Sequence, residues 1–159
     1  MSGLIKGTDG QTRCWWCGED ELYVRYHDDE WGRPMHDDIR LFEKICLEGF
    51  QAGLSWLTIL RKRENFRAAF DGFDFAKVST YGEKDVQRLL GDAGIIRHLG
   101  KIEATINNAA RALEMVEEFG TLDAYFWGYQ PEAHTQPASR EAVVPNNDIA
   151  KAMSKDLKR

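Results

Sequence analysis

Apolar positions recur at helical spacing along most of the chain. Leu41, Phe42, Ile45 and Gly49 follow Asp37 and Asp38, either of which can cap a helix through its carboxylate. Gly49 and Gly53 loosen the backbone after this stretch. Leu54, Trp56, Leu57, Ile59, Leu60, Phe66 and Phe70 then predict a second amphipathic helix, closed by a turn at residues 71–74. Asp85, Val86, Leu89 and Leu90 predict a short third helix that ends between Gly91 and Gly94. The most extended apolar stripe, Ile95, Ile96, Leu99, Ile102, Ile106, Ala109, Ala110 and Leu113, predicts a long helix. Leu122, Ala124, Tyr125, Phe126 and Trp127 supply another turn or two. Residues 128–145 hold three of the four prolines and few apolar groups, and read as a loop before a last helix over 147–157.

No alternating stretch of useful length predicts a strand, and the chain contains no internal repeat. The expected class is all-α, as one helical domain over residues 1–159. Within it, residues 13–36 are expected to form an aromatic and metal-binding lobe on a helical body of residues 37–159. Asp156-Leu157-Lys158-Arg159 has no capping glycine and ends on basic residues, as a helix leading into further chain would.

Composition narrows the class. In 159 residues, 43% are hydrophobic, 30% charged and 11% aromatic, a globular balance that excludes a disordered or fibrous chain. There is no long apolar run and no apolar segment near the N-terminus, so neither a membrane span nor a secretory signal is expected, and a cytoplasmic location is. Three cysteines, an odd number, fit reducing surroundings better than a disulfide framework. The net charge of −5 conceals a gradient: residues 1–50 carry 6 basic and 11 acidic groups, whereas residues 51–111 carry 10 and 7. Arg61, Lys62, Arg63, Arg67, Arg88, Arg97 and Lys101 are therefore either a phosphate-binding patch or a solvated helix face.

Three features can carry chemistry. With Leu41 at 0° on a helical wheel, Ile45 falls near about 40°, Gly49 near about 80° and Glu48 near about −20°, so Glu48 is expected within the apolar stripe and partly buried. A buried carboxylate needs a partner, which can be a cationic or amine-bearing ligand, an arginine or a neighbouring helix end. Secondly, Trp15, Trp16, Tyr23, Tyr26 and Trp31 crowd one short segment, with Phe50 and Trp56 soon after Glu48. They can form a box for a planar cation or simply a small core. Thirdly, Cys14 and Cys17 form a C-x-x-C, followed by His27 and His36. This spacing is compatible with zinc, a redox dithiol or two incidental thiols, because no second close pair is present.

Four separated blocks make the pattern specific. They are Tyr26-His27-Asp28-Asp29-Glu30-Trp31-Gly32, the run from Leu41 to Trp56 containing Leu47-Glu48-Gly49 and Gln51-Ala52-Gly53-Leu54-Ser55-Trp56, then Lys62-Arg63-Glu64-Asn65-Phe66, and Asp92-Ala93-Gly94-Ile95-Ile96-Arg97-His98. In this order they resemble the 3-methyladenine DNA glycosylase I family, over about Arg13 to Arg159.

The resemblance implies a helix-hairpin-helix glycosylase fold and base-excision repair of alkylated double-stranded DNA, with hydrolytic release of 3-methyladenine. It implies that Trp16, Tyr26, Trp31 and Trp56 stack on an extruded base, that Glu48 reads the base and is the catalytic carboxylate, and that Gly53 and Leu54 form the wedge left in the duplex. It also implies a structural zinc, with Cys14 and His27 as one ligand pair and Cys17 outside the ligand set. The second pair, and the phosphate-holding hairpin, would belong to a segment beyond Arg159, so the chain is expected to be C-terminally incomplete. A monomer is expected. The alternative is a non-enzymatic zinc-binding interaction module using Cys14, Cys17, His27 and His36; a small-molecule hydrolase with Glu48 as base is a third reading.

Overall fold

A computed structural model describes residues 3–158. In chain order it contains strands β1 (Leu4–Lys6) and β2 (Thr12–Cys14), a 3-10 turn at Trp15–Cys17, and helices α1 (Glu21–Asp29), α2 (Asp38–Gln51) and α3 (Trp56–Ala69). After a second 3-10 turn at Asp71–Phe73 come α4 (Phe75–Val78), α5 (Glu83–Gly91), α6 (Leu99–Phe119) and α7 (Leu122–Trp127). A third 3-10 turn at Arg140–Ala142 precedes α8 (Asp148–Asp156). The chain divides into two compact units, Met1–Gly32 with Phe126–Arg159, and Arg33–Tyr125.

The all-α class holds, with one addition. Leu4, Ile5 and Lys6 pair antiparallel with Cys14, Arg13 and Thr12, giving a small hairpin. Three-residue strands are too short for alternation to register in a sequence. Helix α1 runs through the aromatic-rich segment, where apolar spacing predicts no helix. Its cap is Asp20, whose carboxylate accepts from the Tyr23 amide at 3.1 Å, satisfying one of the open donors of the first turn.

In the unit of residues 33–125, α2 packs against α3 and α6, and α4 and α5 also pack on α6. Asp37 caps α2 by accepting from Arg40 N at 2.9 Å. His98 caps α6 by accepting from Lys101 N at 3.2 Å, so Ile95 and Ile96 precede this helix rather than open it. The core is largely aromatic: Phe42, Phe50, Phe66, Phe70 and Phe73 are fully buried, with Phe50 and Phe66 centroids 4.6 Å apart and Phe70 and Phe73 stacked at 5.6 Å.

The buried face of α2 is not the expected one. Phe42, Glu43, Cys46, Leu47 and Phe50 are buried, and on the same wheel they centre near about 170°, about 130° from the centre of Leu41, Ile45 and Gly49 and opposite Glu48. Glu48 therefore faces solvent, with 51% of its side chain exposed. The buried carboxylate is Glu43. Arg67 of α3 donates to it through Nη2 at 2.7 Å and Nε at 2.9 Å, and Arg40 donates as well. The bond to Glu43 raises the Arg67 pKa above its usual value against the opposing effect of burial.

Candidate active site

Glu48 stands in the last turn of α2, where the helix dipole presents partial negative charge, so a carboxylate there is disfavoured by about 0.3–1 kcal/mol unless a cation answers it. The answering cation is Lys44, one turn earlier: its Nζ lies 2.8 Å from Glu48 Oε1. The same ammonium sits 3.8 Å from the ring centroid of Trp56. Trp56 opens α3 directly after Ser55, whose hydroxyl caps the helix by accepting from Thr58 N at 3.1 Å. The carboxylate and the indole face thus converge on one positive charge. Lys44 was not singled out from the sequence, although its four-residue spacing from Glu48 is a signal for such a pair.

Between the two helices, Ala52 (φ −50°, ψ 116°) and Gly53 (φ 82°) form the centre of a type II turn. Leu54 N donates to Gln51 O at 2.7 Å, and Gln51 Nε2 donates to Leu54 O at 2.7 Å. Lys101 of α6 donates to Phe50 O at 2.9 Å and Ala52 O at 2.6 Å. Gly53 supplies the left-handed conformation that the turn requires, and the tightly bonded turn exposes Leu54.

Most of the suspected basic patch is engaged inside the fold. Lys62 donates to Ala93 O and Gly94 O, Arg67 holds Glu43, and Arg88 donates to Ala69 O. Together with Lys101, these charges tie loops and helix ends; Arg61 and Arg97 are exposed.

In the other unit, Trp16 is the hub of an aromatic cluster. Its ring centroid lies 5.0 Å from Tyr23, 6.3 Å from Tyr26, 5.1 Å from His27 and 5.1 Å from Trp31. His27 stacks on Trp31 at 5.7 Å. Tyr26 is buried, whereas Trp31 is half exposed. The structure therefore gathers Trp16, Tyr26 and Trp31, and adds Tyr23 and His27 through the helical register of α1. Trp15 has a different role, with the Arg140 guanidinium 4.8 Å from its ring.

Cys14 and His27 also meet. Cys14 N–H donates to His27 Nε2 at 3.3 Å, and His27 Nδ1 bonds Asp28 Oδ1 at 2.8 Å; a carboxylate behind a histidine is the usual support of a metal ligand. Asp28 is anchored in turn by buried Arg13, which forks onto Asp28 and Asp9 with contacts of 2.6 to 3.0 Å. Hydrogen bonds from Arg13 lower both carboxyls to about 2. Cys17 is buried with its Sγ 3.2 Å from Cys14 O, and burial raises its thiol pKa. His36 bonds Asp123 at 2.7 Å. The donor chemistry of Cys14 and His27 fits one half of a tetrahedral zinc site. Among the described residues, no three His, Cys, Asp or Glu side chains are grouped as a metal would need, so the four-residue set of an independent zinc module is not assembled.

The chain belongs to the methyladenine glycosylase family, whose profile matches residues 16–159. It is similar to DNA-3-methyladenine glycosylase 1 of Escherichia coli (strain K12), with 48% identity over 150 residues covering 92% of this chain and 80% of that protein. It is also similar to DNA-3-methyladenine glycosylase of Haemophilus influenzae (strain ATCC 51907 / DSM 11121 / KW20 / Rd), with 42% identity over 151 residues, 93% of this chain and 81% of that protein. Among solved structures, a crystal structure of 3-methyladenine DNA glycosylase I superposes with a TM-score of 0.86 at 47% identity, covering 92% of this chain and 81% of that one. A variant of 3-methyladenine DNA glycosylase I in complex with 3-methyladenine matches with a TM-score of 0.86 at 34% identity, covering 92% and 80%.

Proposed function

We propose that this chain is a DNA-3-methyladenine glycosylase, which extrudes the methylated base from duplex DNA and hydrolyses its N-glycosidic bond. The observation that carries the reading is the convergence of Glu48 and the Trp56 ring on one ammonium, at 2.8 and 3.8 Å. Methylation at N3 gives an adenine nucleotide a positive charge, so a carboxylate beside an indole face is suited to this lesion and not to neutral adenine. Family membership and the relatives' names support the same reaction.

The charge makes the base a good leaving group. The N9–C1′ bond breaks with its electron pair passing to the purine, which becomes neutral. Water forms the new bond to C1′ and its proton passes to solvent. Glu48 accepts from the exocyclic amine and stabilises the charged base, while Trp56 stacks on it. Leu54, displayed by the Gly53 turn, fills the gap in the duplex, where an apolar wedge offsets about a few kcal/mol of lost stacking.

Cys14 and His27 would hold a structural zinc ion with donors outside the described residues; such an ion would tie the end of β2 to α1, and so brace Trp16. Among the described residues no helix is long and apolar enough to cross a membrane; a cytoplasmic monomer acting on alkylated double-stranded DNA is the working form in this reading. Chromatography of bases released from methylated duplex DNA tests the function. Release of 3-methyladenine, reduced by at least tenfold in Glu48→Gln and Trp56→Ala with circular dichroism unchanged, is the expected result. Wild-type release by both variants overturns the assigned roles.

A further inference from the structure

Lys44 is half exposed, as is its partner Glu48, so neither is locked by packing. An exposed ion pair and a cation–π contact, each individually weak, hold the ammonium. A lysine placed N-terminal to a glutamate at this spacing is also the less favourable orientation on a helix. Beyond answering a carboxylate at the helix end, the pair therefore adds little to the stability of α2. Its geometry instead satisfies, with a side chain, the two groups assigned to the cationic base.

We infer that Lys44 is a resident surrogate for the substrate cation, occupying Glu48 and the face of Trp56 until a charged base displaces it, and so a residue that sets how tightly a charged base is held. This rests on the reading that Glu48 and Trp56 hold the base. With Lys44 in place, Glu48 and its neighbour are together neutral. A ligand gains the field of Glu48 only by moving the ammonium aside. A neutral purine gains little from that exchange, whereas a cationic purine restores both contacts that Lys44 gives up. The surrogate thus competes with a cationic base alone, because a neutral purine binds without calling on the field of Glu48. It also keeps the carboxylate and the indole from attracting other cations between encounters.

The test compares two probes by titration of tryptophan fluorescence: 3,9-dimethyladeninium, a fixed cation with the charge of the methylated nucleotide, and neutral 9-methyladenine. Removing the competing charge in Lys44→Met is expected to tighten the cation about three- to tenfold, the scale of one exposed ion pair plus one cation–π contact. Binding of 9-methyladenine is expected to change less than twofold, and Lys44→Arg to keep the wild-type affinities. The gap between wild type and Lys44→Met should narrow as salt is raised. Unchanged or weaker binding of the cation by Lys44→Met overturns the inference, as does equal tightening of both probes. Glu48→Gln separates the two levels: if it leaves cation binding unchanged, the site reading itself fails. If it weakens the cation while Lys44→Met has no effect, only the role of Lys44 is lost.

Discussion

Lys101 Nζ lies 2.6 Å from the carbonyl oxygen of Ala52, so the first turn of α6 holds the turn that displays Leu54. The same ammonium answers Phe50 O near the C-terminus of α2, where orphan carbonyls and the helix dipole both favour a cation.

Lys101→Met should therefore loosen the wedge without removing it. The expected loss is about 1–2 kcal/mol of stability in urea, the range for hydrogen bonds from a charged donor that is only partly shielded from water. Gly53→Ala should cost about 1–2 kcal/mol, because an alanine at φ 82° is strained. In both variants 3-methyladenine release from duplex DNA should fall several-fold, while release from single-stranded DNA, which has no stack to hold open, should change little. Equal losses on both substrates would remove the wedge from the account.

Two carboxylates on α2 should separate stability from activity. Glu43 is buried with Arg67, and Glu43→Ala leaves that guanidinium only its exposed partner Glu64, so about 3 kcal/mol of stability should be lost. Glu48→Gln breaks only an exposed pair and should change stability by less than about 1 kcal/mol, yet it should abolish most base release. Urea unfolding and base chromatography on the same two variants measure both quantities.

The error over Glu48 shows where the sequence stops being legible. Helix α2 contains two apolar patterns, Leu41, Ile45 and Gly49 on one side and Phe42, Cys46, Leu47 and Phe50 on the other, and periodicity alone does not choose between them. The second side carries a charged residue, Glu43. It is buried because Arg67, on the next helix, neutralises it, a long-range relation invisible in local spacing. Helix α6 was legible because its apolar stripe is long and one-sided, although its start was read too early. The aromatic segment showed its composition but not its order: Trp16, Tyr26, Trp31 and His27 meet because α1 brings Tyr23, Tyr26 and His27 onto neighbouring positions, and the Asp20 cap that starts α1 went unread. The site residues are assigned by the likeness to a family and not by hydrophobic patterning.

Only strong acid should undo the Arg13 network. Asp9 and Asp28 have carboxyls lowered from 3.8 to about 2 by hydrogen bonds from Arg13. Because the folded values are depressed, their contribution to stability is complete above the unfolded value near 3.8 and disappears as pH falls through about 2. Tryptophan fluorescence, reporting on Trp15, Trp16 and Trp31, should therefore show a transition in this window. Arg13→Met removes the cause of both shifts, so its acid transition should move upward in pH. An unchanged midpoint would mean that the forked contacts do not persist in solution.

The three thiols should react at distinct rates. Cys17 and Cys46 are buried, and burial raises both thiols, so each is a poor thiolate behind closed packing, whereas Cys14 is partly exposed. A chromogenic disulfide reagent should modify one cysteine quickly in the native chain and all three after unfolding in guanidinium. Cys14→Ser should remove the fast phase. If Cys14 and His27 ligate zinc, added zinc should slow that phase, because a metal-bound sulfur is a weaker nucleophile, and His27→Ala should cancel the protection while leaving the metal-free rate much the same. Protection that survives His27→Ala would assign the metal to other donors. A second fast thiol in the native chain would contradict the buried hydrogen bond of Cys17 to the Cys14 carbonyl.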